Sequence, residues 1–183
     1  PNGVDTDVFN PKDKITCQRQ LGWEVTKKHI LFAAHPARHE KNYALAEQAV
    51  AQLDNDNINL HTLIDVPHEH IPLWLNAADV VLLTSLWEGS PNVIKEAMIC
   101  NRPVVATDVG DIAWLFGNEP GHFLTSFDYE DVSNKLRLAL EFAEKVRQTN
   151  GRKRIIKLGL DSASVAKRIA EVYQQALLKS SYK

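Results

Sequence analysis

Five short apolar runs limit the folds open to this chain: His29–Ala34, Asn59–Ile64, Val80–Thr84, Val104–Thr107 and His122–Thr125. They show little polar alternation, so each predicted strand must be covered on both faces. Segments with helical spacing lie between them. Ala44, Leu45, Ala49, Val50 and Leu53 form one apolar stripe, and Ile71, Leu73, Trp74, Leu75 and Ala78 form another. After Phe127, Tyr129, Val132, Leu136, Ala139, Leu140, Ala143 and Val146 recur every three or four positions. Val165, Ile169, Val172, Tyr173, Ala176 and Leu177 mark a last amphipathic helix, placed at 162–179. Alternating strands and helices of this kind predict an α/β fold, a doubly wound, Rossmann-like parallel sheet. Ligands of such sheets bind beyond the carboxyl ends of the strands. The loops after residues 34, 64, 84 and 107 are therefore the ones to search for chemistry.

A chain of 183 residues, 44% hydrophobic and 24% charged, suits one domain across 1–183 with a full-sized core. Its formal charge of −2 gives no general reason to expect a nucleic-acid partner. Cys17 and Cys100 make no disulfide framework, and neither a signal-like segment nor an apolar run of membrane length is present. A cytoplasmic setting is the expectation. Lys145, Arg147, Arg152, Lys153, Arg154 and Lys157 form a basic run without an intervening acid. It reads as a solvated face or connecting loop, with peripheral membrane contact through anionic lipid as the minor reading. Residues 1–28 read as a linker or start region with a short helix around Asp13–Leu21. Pro1-Asn2-Gly3-Val4-Asp5 has the look of mid-turn sequence, so a piece of a longer protein is expected.

Glu88-Gly89-Ser90-Pro91-Asn92-Val93-Ile94-Lys95-Glu96-Ala97-Met98 follows the third predicted strand. Ser90 is expected to cap a helix there, with Pro91 at its first position, where a missing N–H costs nothing. The amides of Asn92 and Val93 would then point outward at the positive end of the helix, a ready anion site. Glu88 and Glu96 at either end would repel phosphate, so hydroxyls are their natural partners. Hydroxyl-bearing groups joined by phosphate describe a nucleotide-sugar. Either glutamate alone is better read as a solvated helix-start acid; the spacing around Gly89, on the ligand edge, reverses that. The helix is expected to stop at Cys100-Asn101-Arg102-Pro103, with Asn101 left-handed.

In His35-Pro36-Ala37-Arg38-His39-Glu40-Lys41-Asn42, Arg38 and Lys41 are candidates for a diphosphate, in balance with a plain polar loop. Gly110 either permits close approach of a ligand or turns the chain. Asp111 is expected to face solvent or cap the next helix. His68-Glu69-His70 invites a metal reading, but residues two apart share no helix face and no third ligand is evident. His35 and His39 read as polar loop residues. Trp23, Trp74, Trp87 and Trp114 read as packing residues, with Trp87 also placed to wall a ligand pocket.

With these blocks in view, the chain resembles the carboxyl-terminal domain of a family 4 retaining glycosyltransferase of the GT-B fold. The resemblance rests on Pro1 to Asp5 with Phe9, Glu40-Lys41, Asn76-Ala77-Ala78-Asp79-Val80, Glu88 to Met98 in its E-x7-E pattern, and Pro103 to Gly110. It implies that Glu88 contacts the donor sugar and is catalytic, and that Glu96 holds the ribose hydroxyls. Gly89, Ser90, Pro91, Asn92, Val93 and Gly110 would meet sugar and phosphate, and Arg38 and Lys41 the diphosphate. The family's arginine usually lies further from the lysine, near His35. Asp111 stands where a second glycine is usual, and Trp114 where an acid is usual. Retaining transfer of a hexose-like sugar without metal or other cofactor is implied, with the acceptor bound by an amino-terminal domain of the same protein. The domain by itself is then expected to transfer no sugar. The alternative is a non-catalytic nucleotide-binding module with a degenerate glycosyltransferase fold.

Overall fold

The computed structural model describes residues 1–180. Helix α1 (Lys14–Gln20) precedes strand β1 (Lys28–Phe32), α2 (Tyr43–Ala51), β2 (Ile58–Thr62), α3 (Ile71–Ala77) and β3 (Val80–Leu83). Then come α4 (Asn92–Ile99), β4 (Val104–Thr107), α5 (Ile112–Phe116), β5 (His122–Thr125), α6 (Tyr129–Lys145), α7 (Gly151–Lys157) and α8 (Ser162–Ser180). The five strands form one parallel sheet in the order β2-β1-β3-β4-β5.

Period-two geometry splits each strand between two apolar layers. Leu31, Val81, Leu83, Val104 and Ala106 pack with residues of α3, α4, α5 and α7 on one face. Ile30, Phe32, Val80, Leu82 and Val105 pack with α2 and α6 on the other. All four residues of β3 are fully buried, which explains why its sequence is apolar throughout. Each such side chain contributes about 1.5–3 kcal/mol by leaving water. On α2 the buried stripe is Leu45, Ala46 and Ala49; Ala44, counted in the sequence stripe, faces solvent.

Helix ends follow local chemistry. Asp13 and Asp128 cap α1 and α6 through their carboxylates, accepting from the amides of Thr16 and Glu130. Helix α4 closes with Asn101 at φ 55°, its amide donating to Met98 O and that of Arg102 to Ala97 O. That paired closure satisfies two end carbonyls and turns the chain directly into β4. The start of the chain is not a free turn. Val4 pairs with Leu160 and Ser162 through main-chain bonds of 2.9 Å each, and Phe9 is buried.

The basic run differs from its sequence reading. It is split by the end of α6, and α7 is a helix with Ile155 fully buried. Arg152 donates to the carbonyls of Phe9 and Thr6, and Arg154 to those of Leu115 and Trp114. These two guanidinia fasten neighbouring segments rather than form a surface patch. Among the described residues no helix is long and apolar enough to cross a membrane. On α8, Ile169, Val172 and Tyr173 of the expected stripe are each more than half exposed, while Val165 is partly buried.

Candidate active site

After β1 the chain leaves for β2 on one side and returns to β3 on the other, so the loops after β1 and β3 diverge and open a crevice. Two charged side chains meet across it. Lys41 closes a 3-10 turn (His39–Lys41) after β1, and its Nζ lies 2.5 Å from Oε1 of Glu88, in the loop after β3. Both side chains are nearly buried, at 11% and 13% exposure. Ser85 Oγ also donates to Glu88 Oε1, at 2.7 Å. Oε2 accepts nothing from the described residues. The frame is stiff: Thr84 Oγ1 donates to the carbonyls of Lys41 and Asn42, and Thr107 Oγ1 to that of Ser85.

Ser90 does not cap α4. The helix begins at Asn92, with Pro91 as the flanking residue (φ −68°, ψ 117°) and no side-chain cap. Ser90 Oγ instead accepts from Nζ of Lys95, at 3.2 Å, while the same ammonium reaches Asn2 O at 2.9 Å. Lys95 is fully buried and must find acceptors; burial pushes its pKa down, while Asp111 and Glu96 push it back up. With Ser90 so engaged, the amides of Asn92 and Val93 meet no acceptor among the described residues. The start of α4 therefore keeps more free amides than a capped helix would leave.

Gly89 and Gly110 differ sharply. A Cβ on Gly89 would meet nothing within 4 Å. Gly110 has φ +60°, and its Cβ would fall against Gly89 O and only 2.7 Å from Glu88 O. Gly110 thus lets the β4 loop press on the Glu88–Gly89 turn, a contact within the protein rather than an opening.

Glu96 is 6% exposed on the second turn of α4. Burial raises its pKa, opposed by a hydrogen bond and charge from His68 and by Lys95. His68 Nε2 lies 3.3 Å from Glu96 Oε1, and Phe9 meets the imidazole edge-on at 5.5 Å. Sequence reasoning set His68 aside with a rejected metal site; its place on the loop after β2, at the same sheet edge, was the available signal. Among the described residues no cluster of His, Cys, Asp or Glu side chains is arranged to hold a metal ion.

Arg38 is not brought to this group. Its side chain is 60% exposed and turns back on Glu40, Nε at 2.7 Å. His35 accepts from the amide of Ala37 at 3.1 Å. Asp111 stands at the N-cap position of α5 and is partly exposed, but its side chain makes no cap bond: its Oδ1 is enclosed without a partner, and its amide donates to Gly89 O. Trp23 stacks on His61 and meets Trp74 edge-on, as packing residues do. Trp87 and Trp114 are 60% and 47% exposed, so neither is a core residue. A concavity of about 460 Å³ lies at the opposite edge, by the amino ends of the strands, lined by Lys12, Lys28, Asp79, Arg102 and Arg147 among others. It holds none of the site residues, and its edge is the one where doubly wound sheets do not bind.

Residues 25–142, more than half of the chain, match the family model for glycosyl transferases group 1. The chain belongs to that family. It is 27% identical over 200 residues to the MMP alpha-(1->4)-mannosyltransferase of Mycolicibacterium hassiacum, covering 98% of this chain and 48% of that protein. The chain thus spans about half the length of that relative. Its fold matches sucrose-phosphate synthase of Thermosynechococcus elongatus (TM-score 0.84, 21% identity, 98% of this chain and 52% of that one). It also matches Anabaena HepE in complex with UDP-glucose (TM-score 0.73, 20% identity, 94% and 56%). The C-terminal domain of the group 1 glycosyltransferase LpcC from Francisella tularensis aligns over 97% of its length, with TM-score 0.67, 18% identity and 85% of this chain. These structural likenesses identify the fold, that of GT-B glycosyltransferases.

Proposed function

We propose that this chain binds the nucleotide-diphosphate-sugar donor for a retaining, metal-independent glycosyl transfer. The observation that carries the reading is the meeting of Lys41 and Glu88 across the crevice between β1 and β3, beside the open amides of α4. Glu88 Oε2 takes a hydroxyl of the donor sugar. The amides of Asn92 and Val93 face the diphosphate, and Glu96 takes the ribose. Lys41 is shared: it pairs with Glu88 and turns to the diphosphate when the donor binds. As the glycosidic bond to the leaving diphosphate breaks, charge grows on the phosphate oxygens. Fixed donors that need no reorganisation stabilise that charge. A relative in fold is known with UDP-glucose bound, which supports the donor class.

The acceptor half of the cleft belongs, in this reading, to an amino-terminal domain of the same protein. The chain spans 48% of its mannosyltransferase relative, which supports that division. The expected outcome is donor binding by this chain without sugar transfer. The test is Glu88→Ala in the chain joined to its amino-terminal domain: transfer is lost while circular dichroism and a cooperative melt show that the variant is folded. Full transfer by that variant contradicts the role of Glu88, and transfer by these 183 residues alone contradicts the division.

A further inference from the structure

We infer that His68 is a positioning residue for the nucleoside end of the donor: its Nε2–H holds Oε1 of Glu96 and leaves Oε2 as the acceptor for a ribose hydroxyl. This rests on the donor-binding reading above. Glu96 is 6% exposed, and a carboxylate so enclosed needs a donor to stay ionised. Among the described residues His68 is the donor it has. The neighbouring ammonium of Lys95 is spent on Asn2 O and Ser90 Oγ. Helix α3, packed beside α4, brings no charged side chain. The nearest guanidinia of α7, Arg152 and Arg154, serve the carbonyls of Thr6, Phe9, Trp114 and Leu115. Cys100, at the end of α4, has its thiol pushed up to about 12 by burial and stays neutral. Glu69 and His70 flank His68 on its own turn and are exposed.

The geometry suits holding rather than blocking. The His68 side chain is 72% exposed and forms the rim of the site, while buried Phe9 fixes the edge of its ring. An imidazole offers a single N–H on that side and so occupies one carboxylate oxygen, where a guanidinium would take both. Sign follows from burial. Desolvation raises the Glu96 pKa and His68 lowers it again. Removing His68 therefore moves Glu96 ionisation to higher pH, and binding that needs the ionised carboxylate loses its acid limb sooner.

The test is calorimetric titration of UDP, GDP and ADP into the chain from pH 5 to 8.5, for wild type, His68→Ala, His68→Gln and Glu96→Gln. Melting curves check that each variant is folded. His68→Ala is expected to weaken the nucleotide that binds wild type by about tenfold at pH 7, the equivalent of one charge-assisted hydrogen bond. Its acid limb should move to higher pH. His68→Gln, which keeps an N–H donor, should recover most of the affinity. Unchanged affinity and an unmoved acid limb in His68→Ala, with Glu96→Gln weakened, overturn the role of His68 alone. If Glu96→Gln also binds as wild type, or no nucleotide binds at all, the donor-binding reading falls with it.

Discussion

Two glycines touch the same turn, and the account assigns them opposite uses. At Gly89 an added methyl meets nothing within 4 Å, and its φ is not in the left-handed region. Gly89→Ala should leave stability within about 0.5 kcal/mol, or raise it by about 0.4–1 kcal/mol through the less flexible unfolded chain. Yet the space beside Gly89 is where the donor's sugar and phosphate are placed, so the same methyl should cut nucleotide-sugar affinity at least tenfold. Gly110 has φ +60°, and its methyl would lie 2.7 Å from Glu88 O. The left-handed conformation alone costs about 1–2 kcal/mol for alanine, and the collision with rigid backbone adds to it. Gly110→Ala should therefore lose both stability and binding, because the Glu88–Gly89 turn must shift. Urea unfolding gives the stability of each variant and calorimetry with UDP-glucose or another nucleotide-sugar gives the affinity. Gly89→Ala binding as tightly as wild type would refute the reasoning, since the empty space would then serve no ligand.

Lys41→Ala should weaken nucleotide-diphosphate binding by about tenfold or more, whereas Arg38→Ala should change it by less than about twofold, since Arg38 is exposed and paired with Glu40. Equal losses in calorimetry would return Arg38 to the site. Both ring nitrogens of His122 are buried without a partner, although the residue as a whole is partly exposed, and burial pushes its pKa down to about 3. Its folded-state pKa lies below the unfolded value of 6.5, so the unfolded chain binds a proton that the fold refuses. Stability should fall as pH drops below 6.5, by about 2 kcal/mol at pH 5. His122→Phe, stacked on Phe116 in its place, should lose that part of the acid sensitivity in urea titrations at pH 7.5 and 5; an unchanged slope would contradict it.

The central strands were legible because β1, β3 and β4 are buried on both faces, so apolar runs and strands coincide there. The runs Val104–Thr107 and His122–Thr125 are β4 and β5 residue for residue, bounded by Pro103 and Gly121. The runs at His29–Ala34 and Asn59–Ile64 each begin one residue late and end two residues late; past β1 burial continues at Ala33 and Ala34, whereas past β2 Ile64 is half exposed. The reversal at Asn101 was legible from a residue that tolerates the left-handed region beside a proline. What sequence could not supply was which polar groups claim one another across the fold. Ser90 is a good cap by type, but a buried lysine five residues on takes its hydroxyl. Asp111 is a good cap by position, yet its carboxylate turns inward. His68 and Glu96 lie 28 residues apart and meet only because the β2 and β3 loops share one edge. Arg38, near in sequence to Lys41, found a nearer carboxylate.

The central claim is a place: the donor lies at the carboxyl edge of the sheet, not in the basic concavity by Arg102 and Arg147. Amide chemical shifts, recorded while UDP, GDP and ADP are each titrated into the isotope-labelled chain, test it directly. The account predicts saturable shifts at Lys41, Gly89, Ser90, Asn92, Val93 and Glu96 with one of the three. Shifts confined to Arg102, Arg147 and their neighbours, or none anywhere, would contradict it.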